Sequence, residues 1–323
     1  MKHRFLLIFA LLLPTLFSCE KEKVPFNYQT VEIPADGVVR AIDFIDGQWV
    51  ISGGNNGSTG FILTADPEFD HFSFVADTLQ WPVHDQISRN NRFIFSADYG
   101  EIYFGSLDLS KINIHYPPEE FWVNTLNKKA LWQIEETQEM GIYMAGGGGF
   151  GKGLILFSPN NGAHWKPYEL NNEMRSVGFQ PPNTIWACGY GLIIKTSDFD
   201  SGWEIVHFEN KFFTGIDFFD KNSGLLSTFE GKIYRTSNGG NSWNEVSKIK
   251  GFSGGVSINR IRFLNDQLAI AIGNGGFLSI SHDGGKSWKS GTDFNETNLY
   301  DMAFVDGWLY LVGSAPEVYK LMP

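Results

Sequence analysis

Five short segments of the chain alternate polar with apolar residues and end on an aromatic: Arg40 to Phe44, Arg175 to Phe179, Thr214 to Phe218, Asn259 to Phe263 and Tyr300 to Phe304. Period-two alternation is what a strand with two different faces requires, so each segment predicts an innermost strand of a small sheet. A second strand rich in small and apolar residues follows. A glycine-rich turn comes next, at Gly53–Gly54, Tyr99–Gly100, Gly146 to Gly149, Gly189 to Gly191, Glu230–Gly231 and Gly273 to Gly276. Counting such units gives seven, near residues 38–76, 83–118, 130–170, 173–209, 212–249, 257–293 and 298–321. The last is too short for four strands. Phe26 to Ile33 alternates without a partner of its own and is predicted to supply the missing outer strand, removing an open edge.

Four units carry the same device between their outer strands. It runs through Ser158, Asn160, Gly162 and Trp165; Thr196, Asp198, Gly202 and Trp203; Thr236, Asn238, Gly240 and Trp243; and Ser281, Asp283, Gly285 and Trp288. The hydroxyl residue leaves a strand, the Asp or Asn can accept backbone N–H groups inside a turn, and glycine supplies φ > 0. The tryptophan starts the next strand and packs beneath the hairpin. Fainter copies sit at Thr64 to Asp66 and Ser106 to Asp108. The tryptophans lie 38, 40 and 45 residues apart, the step of a propeller blade. The fold expected is all-β: a seven-bladed β-propeller closed by an N-terminal strand.

The device resembles the Asp-box, or bacterial neuraminidase, repeat S-x-D-x-G-x-x-W. Ser281 to Trp288 matches it fully, and the other copies depart in one or two places, as with Asn at 160 and 238. With the strand pattern that precedes each box, the chain resembles the propeller family of the photosystem II assembly and stability factor over roughly residues 38–321. That resemblance implies a non-catalytic assembly role without naming a photosynthetic client.

Residues 1–18 read as an export signal: Lys2 and Arg4 precede the apolar run Phe5 to Leu13, and Leu16 to Cys19 reads as a lipoprotein cleavage box. Cys19 would become the lipidated N-terminus and residues 19–25 a charged tether, leaving 26–323 as one propeller domain. The expected location is the cell envelope, at the outer membrane, facing the periplasm or the surface. Without the signal, 23 basic residues oppose 36 acids. That balance and the lack of basic clusters argue against nucleic acid. With Cys19 lipidated, Cys188 has no disulfide partner and reads as a buried strand thiol. No metal or cofactor is expected, and the chain is expected to be a monomer.

In a propeller the box hairpins share one face with the turns joining first and second strands. The glycine-rich turns and blade connections share the other, where ligands usually bind. Candidate partner-binding residues on that second face are Trp81, Phe121 and Trp122 in connections, and Tyr99, Phe150, Tyr190 and Phe229 in turns. Arg40 and Arg175 join them at equivalent starts of innermost strands, with Arg260 one place out of register. Aromatics and arginines suit recognition of a protein loop or a glycan; the bland reading is that they shield blade junctions and pair with neighbouring acids.

Gly146 to Lys152 spells a phosphate-binding loop, but Gly153 replaces its hydroxyl residue and a strand follows where a helix is needed. Asp198 and Asp200 lack the ligand set of a calcium loop and read as turn formers. The alternative to a binding module is a glycoside hydrolase of the Asp-box propeller type, sialidase-like or endoglucanase-like. The [FY]-R-[IL]-P motif of sialidases is absent. A carboxylate pair at the ring centre, drawn from Asp43, Asp85, Asp217 and Asp301, stays open as the other route.

Overall fold

Alternation does pair these segments into sheets, seven of them, each with four antiparallel strands. The innermost strands are Val38–Ile45, Val83–Arg89, Ala130–Thr137, Met174–Gln180, Phe213–Phe218, Ile258–Phe263 and Leu299–Val305. Each packs against the next, and Leu299–Val305 packs back on Val38–Ile45, closing a ring. The chain is a seven-bladed β-propeller. This is a computed structural model that describes residues 26–55, 59–89, 92–106, 112–115, 129–137, 140–207, 210–248, 256–292 and 294–323. The leader, Cys19, Asp108, Phe121 and Trp122 lie outside the described residues.

Blade 7 is completed from the other end of the chain, as the unpaired alternation predicts. Tyr28–Glu32 pairs antiparallel with Glu317–Leu321, Tyr28 opposite Leu321 and Glu32 opposite Glu317. The Tyr28 ring packs 4.6 Å from Phe294 and 5.5 Å from Tyr319. Because Leu321 ends a third strand, the chain enters the ring on the face that carries the tryptophan hairpins.

The core is divided into seven apolar clusters, each built from two adjacent blades. A blade therefore buries both faces against neighbours, which lets a chain of this length manage without one large core. Cys188 is fully buried in one junction, as expected of a strand thiol. Of the aromatics that end the innermost strands only Phe218 is fully buried; Phe44, Phe179, Phe263 and Phe304 are half-buried at the margins of their junctions.

The repeated hairpins act between blades. Ser158, Thr236 and Ser281 accept the Gly162, Gly240 and Gly285 amides at 2.7, 2.9 and 2.8 Å. Asn160, Asn238 and Asp283 accept the His164, Ser242 and Ser287 amides at 2.8, 3.0 and 2.8 Å. Gly240 and Gly285 hold φ of +83° and +80°, and a Cβ there would run into Trp186 and Leu225 of the preceding blade. The copy at Thr196 to Trp203 replaces this geometry with a 3-10 turn over Phe199–Ser201, capped by Asp198. Trp165 is buried, whereas Trp203, Trp243 and Trp288 are half-buried, and each strand begins one residue after its tryptophan.

Deleting residues 24–36 removes the closing strand and opens blades 1 and 7 together. Thermal unfolding should then move down by roughly 10 °C in one transition, the equivalent of about 3–5 kcal/mol; an unchanged midpoint would refute the closure. Gly240→Ala should destabilise by about 2–4 kcal/mol, from the positive φ and the collision with Trp186 together. Chemical denaturation of that variant beside Gly275→Ala, which has a positive φ but open space, separates the two causes.

Candidate functional site

Every innermost strand carries the same irregularity. Its register with the second strand skips one residue near its start: Arg40, His84, Trp132, Arg175, Thr214, Asn259 and Tyr300. A bulge re-aims the skipped side chain out of the ladder. Repeated around a ring, it delivers seven side chains to one place, the channel mouth on the face of the glycine-rich turns. All seven line a cavity of about 310 Å³ there.

This basin is aromatic and polar. The Arg175 guanidinium lies 3.9 Å from the Trp132 ring centre and 5.2 Å from that of Phe212, and its Nε pairs with Glu173 at 2.6 Å. Arg40 lies 5.4 Å from the Tyr300 ring. Burial draws both guanidinium pKa values down, and Glu173 at Arg175, and Tyr300 and Asp98 at Arg40, oppose it. His84 is buried beside Trp132, with Nε2 2.7 Å from Asp98 Oδ1. Desolvation pushes its pKa below the ordinary value despite Asp98, so the imidazole is neutral at pH 7. Asn259 donates to Asn274 and to the Leu299 carbonyl, both at 2.8 Å.

One residue further along each strand lies the floor. Arg260 spans it, with Nη2 2.7 Å and Nη1 3.1 Å from the Asp85 oxygens and Nε 3.0 Å from Asp301. The same acids reach forward to the next blade: Asp85 accepts the Ile134 amide at 3.1 Å and Asp301 the Ile42 amide at 3.0 Å. Ser176 accepts from Ile216 in the same way, and Gln133 donates to the Val177 carbonyl. Arg260 is therefore a buried tie across the channel and not a rim cation. Its being out of register with Arg40 and Arg175 is the reason.

Below the floor a second cavity, about 400 Å³, is lined by Asp43, Asp85, Glu135, Glu136, Arg262 and Asp301. Asp217 lies at the same depth and accepts the Phe263 amide at 2.6 Å. Burial pushes Glu135 up to about 7 and Asp43 up to about 6, the latter against the Phe44 amide that it accepts. Among the described residues no group of three or more His, Cys, Asp or Glu side chains is placed to hold a metal ion.

The sequence-predicted residues thus divide. Arg40, Arg175, Arg260 and Phe229 line the basin. Tyr190 joins Phe150 and Phe212 in an aromatic cluster beside it, at ring distances of 5.0 and 5.8 Å. Trp81 and Tyr99 stack on each other at 3.6 Å on blade 2 and do not line the basin. His84, Trp132, Thr214, Asn259 and Tyr300 were not singled out from sequence. Aligning the seven units on Arg40 and Arg175 would have found them, because they occupy the same column.

No family model matches the chain. It is 26% identical over 177 residues to the photosystem II assembly lipoprotein Ycf48 of Synechococcus sp. (strain CC9902), which is 51% of this chain and 52% of that protein. The similarity thus spans about half the length of that relative. YCF48 solved with a D1 peptide bound has a TM-score of 0.68 at 15% identity, over 93% of this chain and 99% of that one. Virginiamycin B lyase from Staphylococcus aureus, at a TM-score of 0.72 and 12% identity over 93% and 100%, has the same fold with an enzyme's name.

The half-buried carboxyls of the lower cavity predict a distinctive pH profile. Glu135 and Asp43 keep protons in the folded state at pH values where the unfolded chain, at 4.5 and 3.8, has released them. Stability should therefore rise as pH falls from about 8 towards 5, by on the order of 1–3 kcal/mol. The hairpin acids Asp198 and Asp283 have lowered values, and what they contribute is lost below about pH 4. Glu135→Gln should flatten the upper limb and leave the acid limb in place; an upper limb unchanged in denaturation between pH 5 and 8 would disprove the assignment. The chain is thus a seven-bladed propeller whose sequence is similar to that of Ycf48 over about half of its length.

Proposed function

We propose that this is a non-catalytic propeller that binds, and helps assemble or stabilise, another protein through the basin at the channel mouth. The observation that carries the reading is the ring of bulged residues. Seven equivalent positions hold six kinds of side chain, aromatic, cationic and amide, in a preformed depression. Such a surface offers flat apolar contact with a few directed donors, which suits a protein loop. That YCF48 has been solved holding a D1 peptide supports a peptide-binding role for a propeller of this kind. Nothing in the residues singles out a photosynthetic client.

Lipidation of Cys19 and residence in the bacterial envelope, at the outer membrane, belong to the same proposal and rest on the leader sequence. The described chain enters on the hairpin face, so a lipid seven residues before Phe26 would tether that face and turn the basin away from the bilayer. A single lipid gives the membrane its only hold, and the propeller works as a monomer. Protease shaving of intact cells reports which side of the membrane it faces.

Glycoside hydrolysis is a second reading because Asp43 and Glu135 have raised pKa values in one cavity, a pattern found at catalytic sites. Against it, Asp85, Asp217 and Asp301 are already engaged with Arg260 or with neighbouring amides.

Cross-linking in cells followed by purification from solubilised envelopes tests the first reading, comparing the wild type with Arg40→Ala/Trp132→Ala. Loss of specific partners at an unchanged melting temperature is expected. Identical partner recovery would remove the basin from the mechanism. Release of reducing ends from a polysaccharide, abolished by Glu135→Gln, would favour the hydrolase instead.

A further inference from the structure

Beside the basin an aromatic strip runs outward over blades 3 to 5. Phe150 contacts Phe212 at 5.7 Å and Phe212 contacts Phe229 at 6.0 Å, with Tyr190 packed between the first two. Phe150 and Phe229 are 54% and 47% exposed, two of the six large hydrophobic side chains that stand in solvent among the described residues. Isolated exposed apolar residues need no explanation, but two exposed rings joined through the half-buried Tyr190 and the buried Phe212 beside the basin call for one.

The strip is held rigidly. The Phe150 amide donates to Glu173 Oε2 at 2.9 Å, the Tyr190 amide to the Glu173 carbonyl at 2.8 Å, and the Phe229 amide to the Phe212 carbonyl at 2.8 Å. Glu173 is itself paired with Arg175, which joins the strip to the basin. Two lysines stand at its blade 3 end, Lys129, whose Nζ reaches the Lys152 carbonyl at 3.3 Å, and Lys152, which follows the Phe150 turn; Lys211 points away from it, over the Tyr234 ring. Burial, and then the neighbouring Lys152 ammonium, hold the Lys129 pKa below its ordinary value, with Glu173 opposing them. This local excess of cations sits on a chain with 36 acids against 25 basic residues.

We infer that this strip is the second half of the binding face and takes an extended acidic segment of the partner, one that lays apolar side chains on Phe150 and Phe229 and carboxylates towards Lys129 and Lys152. The charge complementarity selects an acidic occupant, and the exposed phenyl rings require it to carry apolar groups as well. The inference rests on the reading of this face as protein-binding, and it adds where the segment runs and what chemistry it carries.

A random twelve-residue peptide library displayed on phage and selected on the immobilised unlipidated protein tests it. Selected peptides should be enriched in Asp or Glu interleaved with Phe, Leu or Trp, and their affinity should fall at least tenfold on raising salt from 50 to 300 mM. Phe150→Ala/Phe229→Ala and Lys129→Glu/Lys152→Glu should each weaken binding at least tenfold, at an unchanged melting temperature. Neutral or basic selected peptides, no selected peptides, or full binding by both strip variants would overturn the proposal. If Arg40→Ala/Trp132→Ala alone abolishes binding, the basin reading survives and the strip falls; if the strip variants alone do so, the strip stands and the basin reading fails. Binding of phosphatidylglycerol vesicles by the strip in place of peptide would also overturn it, since the occupant would then be a membrane.

Discussion

The tie made by Arg260 across the channel is the constraint from which the remaining geometry follows. One guanidinium from blade 6 grips carboxylates from blades 2 and 7, and those carboxylates hold the backbone amides of blades 3 and 1. A pair of this kind is weak evidence for net stability, since desolvation offsets much of the attraction. Its effect is on register instead. Each acid has its lone pairs committed to an arginine on one side and to the next blade on the other, so the innermost strands cannot slide without stranding a buried charge. Closing the channel at this depth also makes the mouth above it a blind depression, and it leaves the acids beneath in a cavity of their own.

Positions that hold the ring together and positions that recognise something are separated within each blade. The hairpin positions repeat nearly the same residue types from copy to copy because each must satisfy the same turn amides and seat the same glycine on the blade before. The bulge positions share a backbone geometry and almost nothing else. Arg, His, Trp, Arg, Thr, Asn and Tyr would be an odd set if the column were structural, because identical surroundings favour similar side chains. Variation at a position of fixed geometry is what a repeat protein shows where its surface is shaped for something unlike itself.

Much of this was legible in the residues. Period-two alternation and the tryptophan spacing located the blades, and the strand from Tyr28 to Glu32 was visible because its alternation had nowhere else to pair. Arg40 and Arg175 were recognised as equivalent, and Arg260 as displaced. Their chemical difference was not recognised. A bulge inserts one residue into a period of two, so it turns the side chain that follows from one face to the other, and a simple alternation count cannot say which arginine stays at the mouth and which falls to the floor. His84, Trp132 and Tyr300 were missed for the same reason, each reading as an ordinary inner-strand residue until the second strand supplied the register. Glu173 gave no signal at all, because its role depends on Phe150 and Arg175 arriving from different blades.

The distribution of charge gives the two faces different work. Carboxylates at Asp66, Asp198 and Asp283 are drawn into turns on the hairpin face, where they accept the turn amides and hydroxyls, and further acids fill the lower cavity. On the opposite face Arg40 lies over Tyr300, and Arg175 lies over Trp132 and Phe212 with Glu173 paired to it. Entry of the chain on the hairpin face then has a physical consequence. Under the lipidation of Cys19 that we propose, a tether attached there would leave the basin face outermost, towards an approaching partner.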